Sequence, residues 1–319
     1  GYYFGQNDTA IYIPYLKSLT DGFLYPNDIL ITTWKSVYFA NLWNILSILI
    51  NVFPIEPLLL FLHVIFRFLF FLVLYFLALE IFRDKKLAIF AIVLWFIPKP
   101  SLGFDIFYNE FTQSSIAYPF LLLSVLLFIK NKNLLSGFIL GIAFHIHPPM
   151  SGFMFISILL YLLYKRQLFQ AIQFSIVALL IAFPIINSTF ILTQNKSGYD
   201  SLWIELTRIR SFGHSFPFSW SKEIWIAFFL FTVSAVVSIK LIYSGITEQM
   251  RKVLFLLIPL GFALIFGVVF SELLPTSKVI IAVPFHISSI FAVFASFPVI
   301  FAIFKLIEGG TLFPPSSRG

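Results

Sequence analysis

The chain has 319 residues, of which 60% are hydrophobic, 19% aromatic and only 11% charged, and its formal net charge is +7. A water-soluble domain carries roughly 25% charged residues, so this composition excludes an ordinary soluble domain and indicates a membrane protein. The lack of cysteine excludes disulfides, thiolate catalysis and any cysteine-ligated zinc or iron–sulfur centre.

Residues 1–56 come first and read as an outer segment. Nothing near Gly1 resembles a charged stretch followed by an apolar signal core, and the reading expects a further span ahead of it. Asp8 stands where a helix would start, so its carboxylate reads as an N-cap. Asp21-Gly22 and Pro26-Asn27-Asp28 are turn signals. The stretch Tyr38–Phe53 includes Asn41, Asn44, Ser47 and Asn51 and reads as a helix lying in the outer interface rather than crossing.

The runs Asn133–Tyr164, Gln167–Asn195, Val253–Ser271 and Val279–Phe304 contain no Asp, Glu, Lys or Arg, and a membrane crossing needs about 20 apolar residues. Apolar runs and turns together place spans at 57–80, 87–98, 116–129, 134–147, 150–164, 168–192, 223–244, 253–271 and 279–304. The expected fold is therefore all-α, a polytopic transmembrane helix bundle of about nine spans over 57–305, with a cytoplasmic tail at 306–319. Several spans are short. A 14-residue helix covers about 21 Å of a roughly 30 Å core, so short spans must be shielded by neighbours or end in a polar cavity.

Basic residues gather in every second loop, at Arg83 to Lys86, Lys130 and Lys132, Lys165 and Arg166, Lys240, Arg251 and Lys252, and Lys305. The positive-inside rule makes those loops cytoplasmic. On this assignment the inner side holds twelve Lys and Arg against four carboxylates, and the outer side eight against ten. The basicity reports orientation and does not point to nucleic acid.

All five histidines and ten of the fourteen carboxylates fall on the outer half, which makes that the expected working face. Within the first span His63 lies one turn above Arg67 on the same side. A charge inside a span marks a functional site by default, and this pair could line a cavity that admits a phosphate or serve only an internal contact. The second outer loop holds Asp105, Asn109 and Glu110, candidates for a general base or a metal-binding pair, with a solvated loop as the plain alternative. A hairpin follows, with His145 and His147 before Pro148-Pro149; polar capping and substrate contact both fit it. The longest outer loop carries Arg208, Arg210 and His214 among the aromatics Tyr199, Trp203, Phe212, Phe216, Phe218 and Trp220. Arginine gives forked hydrogen bonds to phosphate and rings sit at the interface, a combination suited to an anionic lipid headgroup.

In this order of elements the chain resembles the glycosyltransferase C superfamily of polytopic, polyprenyl-phosphate-dependent enzymes, in particular its bacterial members. The resemblance rests on the acidic opening Gly5-Gln6-Asn7-Asp8, on Asp105 and Glu110, on His147-Pro148 and on the basic-aromatic stretch Arg208 to Trp220. It implies a sugar donor linked to a polyprenyl phosphate, a glycan, lipid or protein acceptor, and an active site at the periplasmic face of the bacterial inner membrane. Carried over, Asp8 would deprotonate the acceptor hydroxyl. Glu110 or Asp105 would orient it or, with Asp8, hold a divalent cation such as Mg or Mn. Arg208, Arg210, His214 and Arg67 would stabilise the leaving phosphate. Against that resemblance two departures from many members are expected, a missing first span and no soluble outer C-terminal domain. A secondary transporter would also give short spans, a Pro-Pro break and a buried Arg67, and a non-catalytic membrane scaffold is the third reading.

Overall fold

The computed structural model describes residues 2–5, 8–29, 31–32, 41–95, 110–194, 201–210, 215–242, 246–282 and 284–307. Among them the regular structure is helical throughout. The helices are α1 (Asp8–Thr20), α2 (Asn41–Leu49), α3 (Ile55–Phe82), α4 (Lys85–Trp95), α5 (Gln113–Ile129), α6 (Asn133–Ile146), α7 (Pro148–Tyr164), α8 (Leu168–Gln194), α9 (Ser201–Arg210), α10 (Lys222–Leu241), α11 (Glu248–Val268), α12 (Ser277–Ala282) and α13 (Ser288–Ile307). Five segments, Ile55–Phe82, Leu168–Ser188, Lys222–Leu241, Glu248–Leu273 and Pro284–Ile307, are long and apolar enough to cross a membrane. The chain is an all-helical, multi-pass membrane protein in which α5, α6 and α7 are shorter apolar helices.

Burial follows from side-chain periodicity. In α3 the residues Leu59, His63, Phe70, Leu74, Leu77 and Ile81 are buried while Phe61, Val64, Phe68 and Phe76 are exposed, an inner stripe at helical spacing with an apolar outer face suited to lipid. Helix α6 packs most closely on α8, and glycine makes this possible. A Cβ on Gly137 would stand 2.5 Å from the Phe174 carbonyl oxygen, and one on Gly141 would stand 2.7 Å from Ile181 Cβ. Gly137 and Gly141 are four apart, the small-xxx-small spacing that lets membrane helices touch through their backbones. On another side α6 meets α5 through two serines: Ser124 Oγ donates to the Ser136 carbonyl at 3.0 Å, and Ser136 Oγ donates to the Ser124 carbonyl at 2.8 Å. Helix α7 rests on α6, α8 and α11; α13 lies against α11, α10 and α4.

The basic turns after α3, α5 and α7 and the basic start of α11 lie at one end. Helices α5 and α7 finish in the same main-chain closure, with Lys132 and Gln167 N–H groups reaching back to Leu127 and Leu162, and Asn131 and Arg166 N–H groups to Phe128 and Leu163, each at 2.9 Å. This is the Schellman pattern, with Asn131 (φ 59) and Arg166 (φ 56) in the left-handed position. The lysines and arginines also face the negative ends of the helix dipoles. Lys130 pairs with Glu80 at 3.4 Å. Thr247 Oγ1 donates to the Ile81 carbonyl at 2.9 Å, and Tyr161 OH donates to Glu248 Oε1 at 3.3 Å. Lys252 is buried and donates to Asn131 Oδ1 at 2.6 Å and the Ile129 carbonyl at 3.3 Å, fastening the start of α11 to the α5–α6 turn.

Three elements differ from the sequence reading. The last span, expected as one helix over 279–304, is interrupted: α12 stops at Ala282, a 3₁₀ turn covers Pro284–Ile287, and α13 starts at Ser288. Pro284 has no N–H to continue the ladder, and it approaches α11 at Gly267, where a Cβ would stand 2.6 Å from Pro284 Cγ. The span expected at 253–271 begins at Glu248, capped by Thr247 Oγ1, which accepts from Met250 N–H at 3.1 Å, and runs on through a π turn, Val269–Leu273. The expected interfacial helix is α2, nine residues long and so about 14 Å, too short to cross. It buries Trp43 and Leu46 and packs on α1 and α6.

Candidate functional site

The end opposite the basic turns is joined by polar side chains from segments far apart in sequence. His145, at the close of α6, is hydrogen-bonded through Nδ1 to Asn41 Nδ2 of α2 at 2.7 Å and through Nε2 to the Ile181 carbonyl of α8 at 2.7 Å. Pro184 lies three residues beyond that carbonyl and, having no N–H, makes no main-chain bond to the neighbouring Leu180 carbonyl. Gln113 Nε2 donates to the Ile146 carbonyl. His147, in the turn between α6 and α7, accepts from Met150 N–H at its Nδ1 (3.5 Å) and so caps α7. Its Nε2 therefore carries the proton and faces His286 Nδ1 at 2.9 Å, binding the interrupted last span to the hairpin. His147 thus caps α7, whereas His145 serves as a bridge from α6 to α2 and α8.

A second polar cluster lies where the N-terminal segment, α3 and the start of α5 meet. His63 is buried, and the Tyr2 ring lies against it with centroids 5.1 Å apart. Both Tyr2 OH and His63 Nδ1 are buried, and among the described residues neither has a hydrogen-bond partner. Glu110 is buried as well, and its backbone is within hydrogen-bonding reach of the His63 ring. Two residues on, Thr112 caps α5 by accepting from Ser115 N–H at 3.2 Å, which fixes the chain direction that carries Glu110 inward. Arg67, one turn deeper in α3, is half-buried and acts on His63 through its charge. The Tyr2 phenol is pushed up to about 12, first by burial and then by the Glu56 and Glu110 carboxylates, so it remains a neutral hydrogen-bond donor at any ordinary pH. The cluster thus offers a carboxylate, an imidazole, a guanidinium and a phenol within one partly buried volume.

Arg208 is placed elsewhere. It pairs with Glu272 Oε2 at 2.8 Å, donates to the Ser271 carbonyl at 3.4 Å and stands 4.3 Å above the Phe216 ring. Glu272 also accepts from Phe218 N–H at 2.7 Å, so this carboxylate, in the π turn, ties the long loop to the end of α11. Glu272 is a site residue the sequence does not single out: it is a carboxylate directly after an apolar run, and only the fold brings Arg208 and the Phe218 N–H to it. Asp105 and His214 lie outside the described residues, as do the side chains of Asp8 and Arg210; Asp8 itself opens α1.

Among the described residues no group of three or more His, Asp or Glu side chains could hold a metal ion. An apolar cleft of about 450 Å³ runs between α7 and α11, lined by Phe153, Ser157, Pro259, Phe262, Phe266 and Phe270. Comparison of the chain with known protein families, curated proteins and solved structures finds no match.

Proposed function

We infer that this chain is an integral membrane glycosyltransferase. It moves a sugar from a polyprenyl-phosphate donor to an acceptor hydroxyl at the end opposite the basic turns, the periplasmic face of a bacterial inner membrane. The observation that carries the reading is the partly buried cluster of Tyr2, His63, Arg67 and Glu110. Transfer breaks the bond between the anomeric carbon and the phosphate oxygen and forms one to the acceptor oxygen. The acceptor proton passes to a carboxylate, and polyprenyl phosphate departs with the additional negative charge. Glu110, with Asp8 and Asp105 as the other candidates, is the base. Arg67 supplies positive charge toward the leaving phosphate, and the Tyr2 hydroxyl and His63 hydrogen-bond the bound sugar. Asp8 and Glu110 are also the carboxylates that would hold a divalent cation. Arg208 contributes less, because Glu272 already accepts its guanidinium, while Arg210 and His214 remain candidates for phosphate contact.

The test is transfer of radiolabelled sugar from a panel of polyprenyl-phosphate sugars by the protein in membranes, wild type beside Glu110→Gln, Asp8→Asn and Arg67→Gln. Loss of transfer in Glu110→Gln or Asp8→Asn with normal insertion supports the reading. No donor consumption by the wild type across the panel ends it. The interruption between α12 and α13 favours a secondary transporter as the second reading, since such carriers build sites at broken helices. Solute uptake into the same vesicles separates the two.

A further inference from the structure

The basic end holds more positive charge than its internal contacts use. Lys252 is enclosed by Asn131 and Ile129, and Lys130 is matched by Glu80. Lys132, Lys165, Arg166 and Arg251 are exposed, and none is in salt-bridge range of a carboxylate among the described residues. Glu248, the nearby acid, already accepts from Tyr161.

These cations come from three separate segments that packing places side by side. Phe128 and Tyr161 meet edge to face with centroids 5.2 Å apart, which sets the α5–α6 turn beside the α7–α8 turn. Phe255 of α11 contacts both Tyr161 and Tyr164, at 5.2 and 5.0 Å, which brings in the α11 start. Lys165 Nζ lies 5.9 Å from the centroids of both tyrosine rings. Below the charges, Leu160, Leu163, Tyr164 and Phe169 are exposed, giving an apolar wall continuous with the cationic rim.

We propose that this rim binds the headgroup of an anionic phospholipid from the leaflet on its side, with an acyl chain lying along Leu160, Leu163 and Phe169. Cations above, tyrosines at the boundary and an apolar wall beneath match the order of a phospholipid from phosphate to chain. A soluble anion would use the cations and leave the wall uncovered. The site is independent of the transferase reading, since it lies at the opposite end of the bundle.

The experiment reconstitutes the full chain in phosphatidylcholine vesicles and measures the association of spin-labelled phosphatidylglycerol relative to spin-labelled phosphatidylcholine. Wild type is expected to prefer phosphatidylglycerol. The double variant Lys165→Gln, Arg166→Asn is expected to lose about 30-fold of that preference, from two cations each contributing near the surface. Asparagine also suits the left-handed backbone at 166, so the variant keeps its turn. Lys165→Arg with Arg166→Lys should retain the preference, and salt at roughly 1 M, where the screening length is about 3 Å, should reduce it. The proposal is overturned if the double variant keeps the preference, if Lys222→Gln at the other end lowers it equally, or if inorganic phosphate displaces the labelled lipid at the same concentration as phosphatidylglycerol.

Discussion

Side chains bridge distant helices at both ends of this bundle, Thr247 to Ile81 and Lys252 to Asn131 at the basic one, but the two ends differ in how their turns close. At the basic end the turns are short and close on themselves: α5 and α7 stop through main-chain hydrogen bonds a few residues long, with cations at the helix termini. At the opposite end the connections come from side chains reaching across the fold, His145 to Asn41 and Ile181, His147 to His286, and Arg208 to Glu272. Local closure is robust because each turn forms whatever its neighbours do. Long-range bridges depend on several helices arriving together, and the end opposite the basic turns also holds the Tyr2 hydroxyl and His63 Nδ1, which have no partner among the described residues.

That contrast can be broken first in the middle. Gly141→Leu forces a side chain into Ile181 and should cost about 3 kcal/mol, the upper range for overpacking, because α8 must move away from α6. Thermal unfolding in detergent should show a large drop, and the hydrogen bond from His145 to the Ile181 carbonyl should break as the helices separate. At the basic end, Lys252→Met leaves Asn131 Oδ1 without its donor and should cost about 2 kcal/mol; an unchanged melting temperature would mean the α5–α6 turn holds α11 without it.

At the other end His147→Ala removes a helix cap and a bridge together, for a loss of about 1–2 kcal/mol. His147→Asn restores the cap but not the bridge and should recover roughly half. A double-mutant cycle with His286→Ala isolates the bridge itself. Tyr2→Phe is expected to have the smallest effect on stability, zero or slightly favourable, because it removes a buried hydroxyl that has no partner among the described residues. The same change should lower sugar transfer if the hydroxyl meets substrate, so a stable and fully active Tyr2→Phe removes Tyr2 from the site. Its raised pKa has a definite sign: the neutral phenol is the form the fold favours, so its contribution is complete below about 10 and declines as pH climbs toward about 12. Phenolate absorbance during an alkaline titration follows that window.

Much of this was legible in residues. Apolar runs and turns located α5, α6, α7 and α8 within a few positions, and the alternation of basic loops put residues 83, 130, 166 and 252 at one end. His63 and Arg67 could be assigned to one side of α3 by spacing alone. Other features left no such trace. No charged residue interrupts Val279 to Phe304, so the stretch reads as one span, and the break at Pro284 shows only where Gly267 admits it. Glu272 reads as one more loop acid until Arg208 and the Phe218 N–H converge on it. Tyr2 lies in a short segment before the first helix, with no pattern to connect it to a histidine sixty-one positions later.

Composition and charge order determined, without any tertiary information, that this chain is a helical membrane protein and which loops share a side, because hydropathy and the helix terminus act locally along the chain. Which polar groups meet was decided only by packing. Gly137 and Gly141 set how closely α6 and α8 approach, Pro284 set where the last span breaks, and those two distances determine which histidine reaches which partner. Hydrogen bonds between residues more than a hundred positions apart depend on such ångström-scale distances, and periodicity carries no record of them.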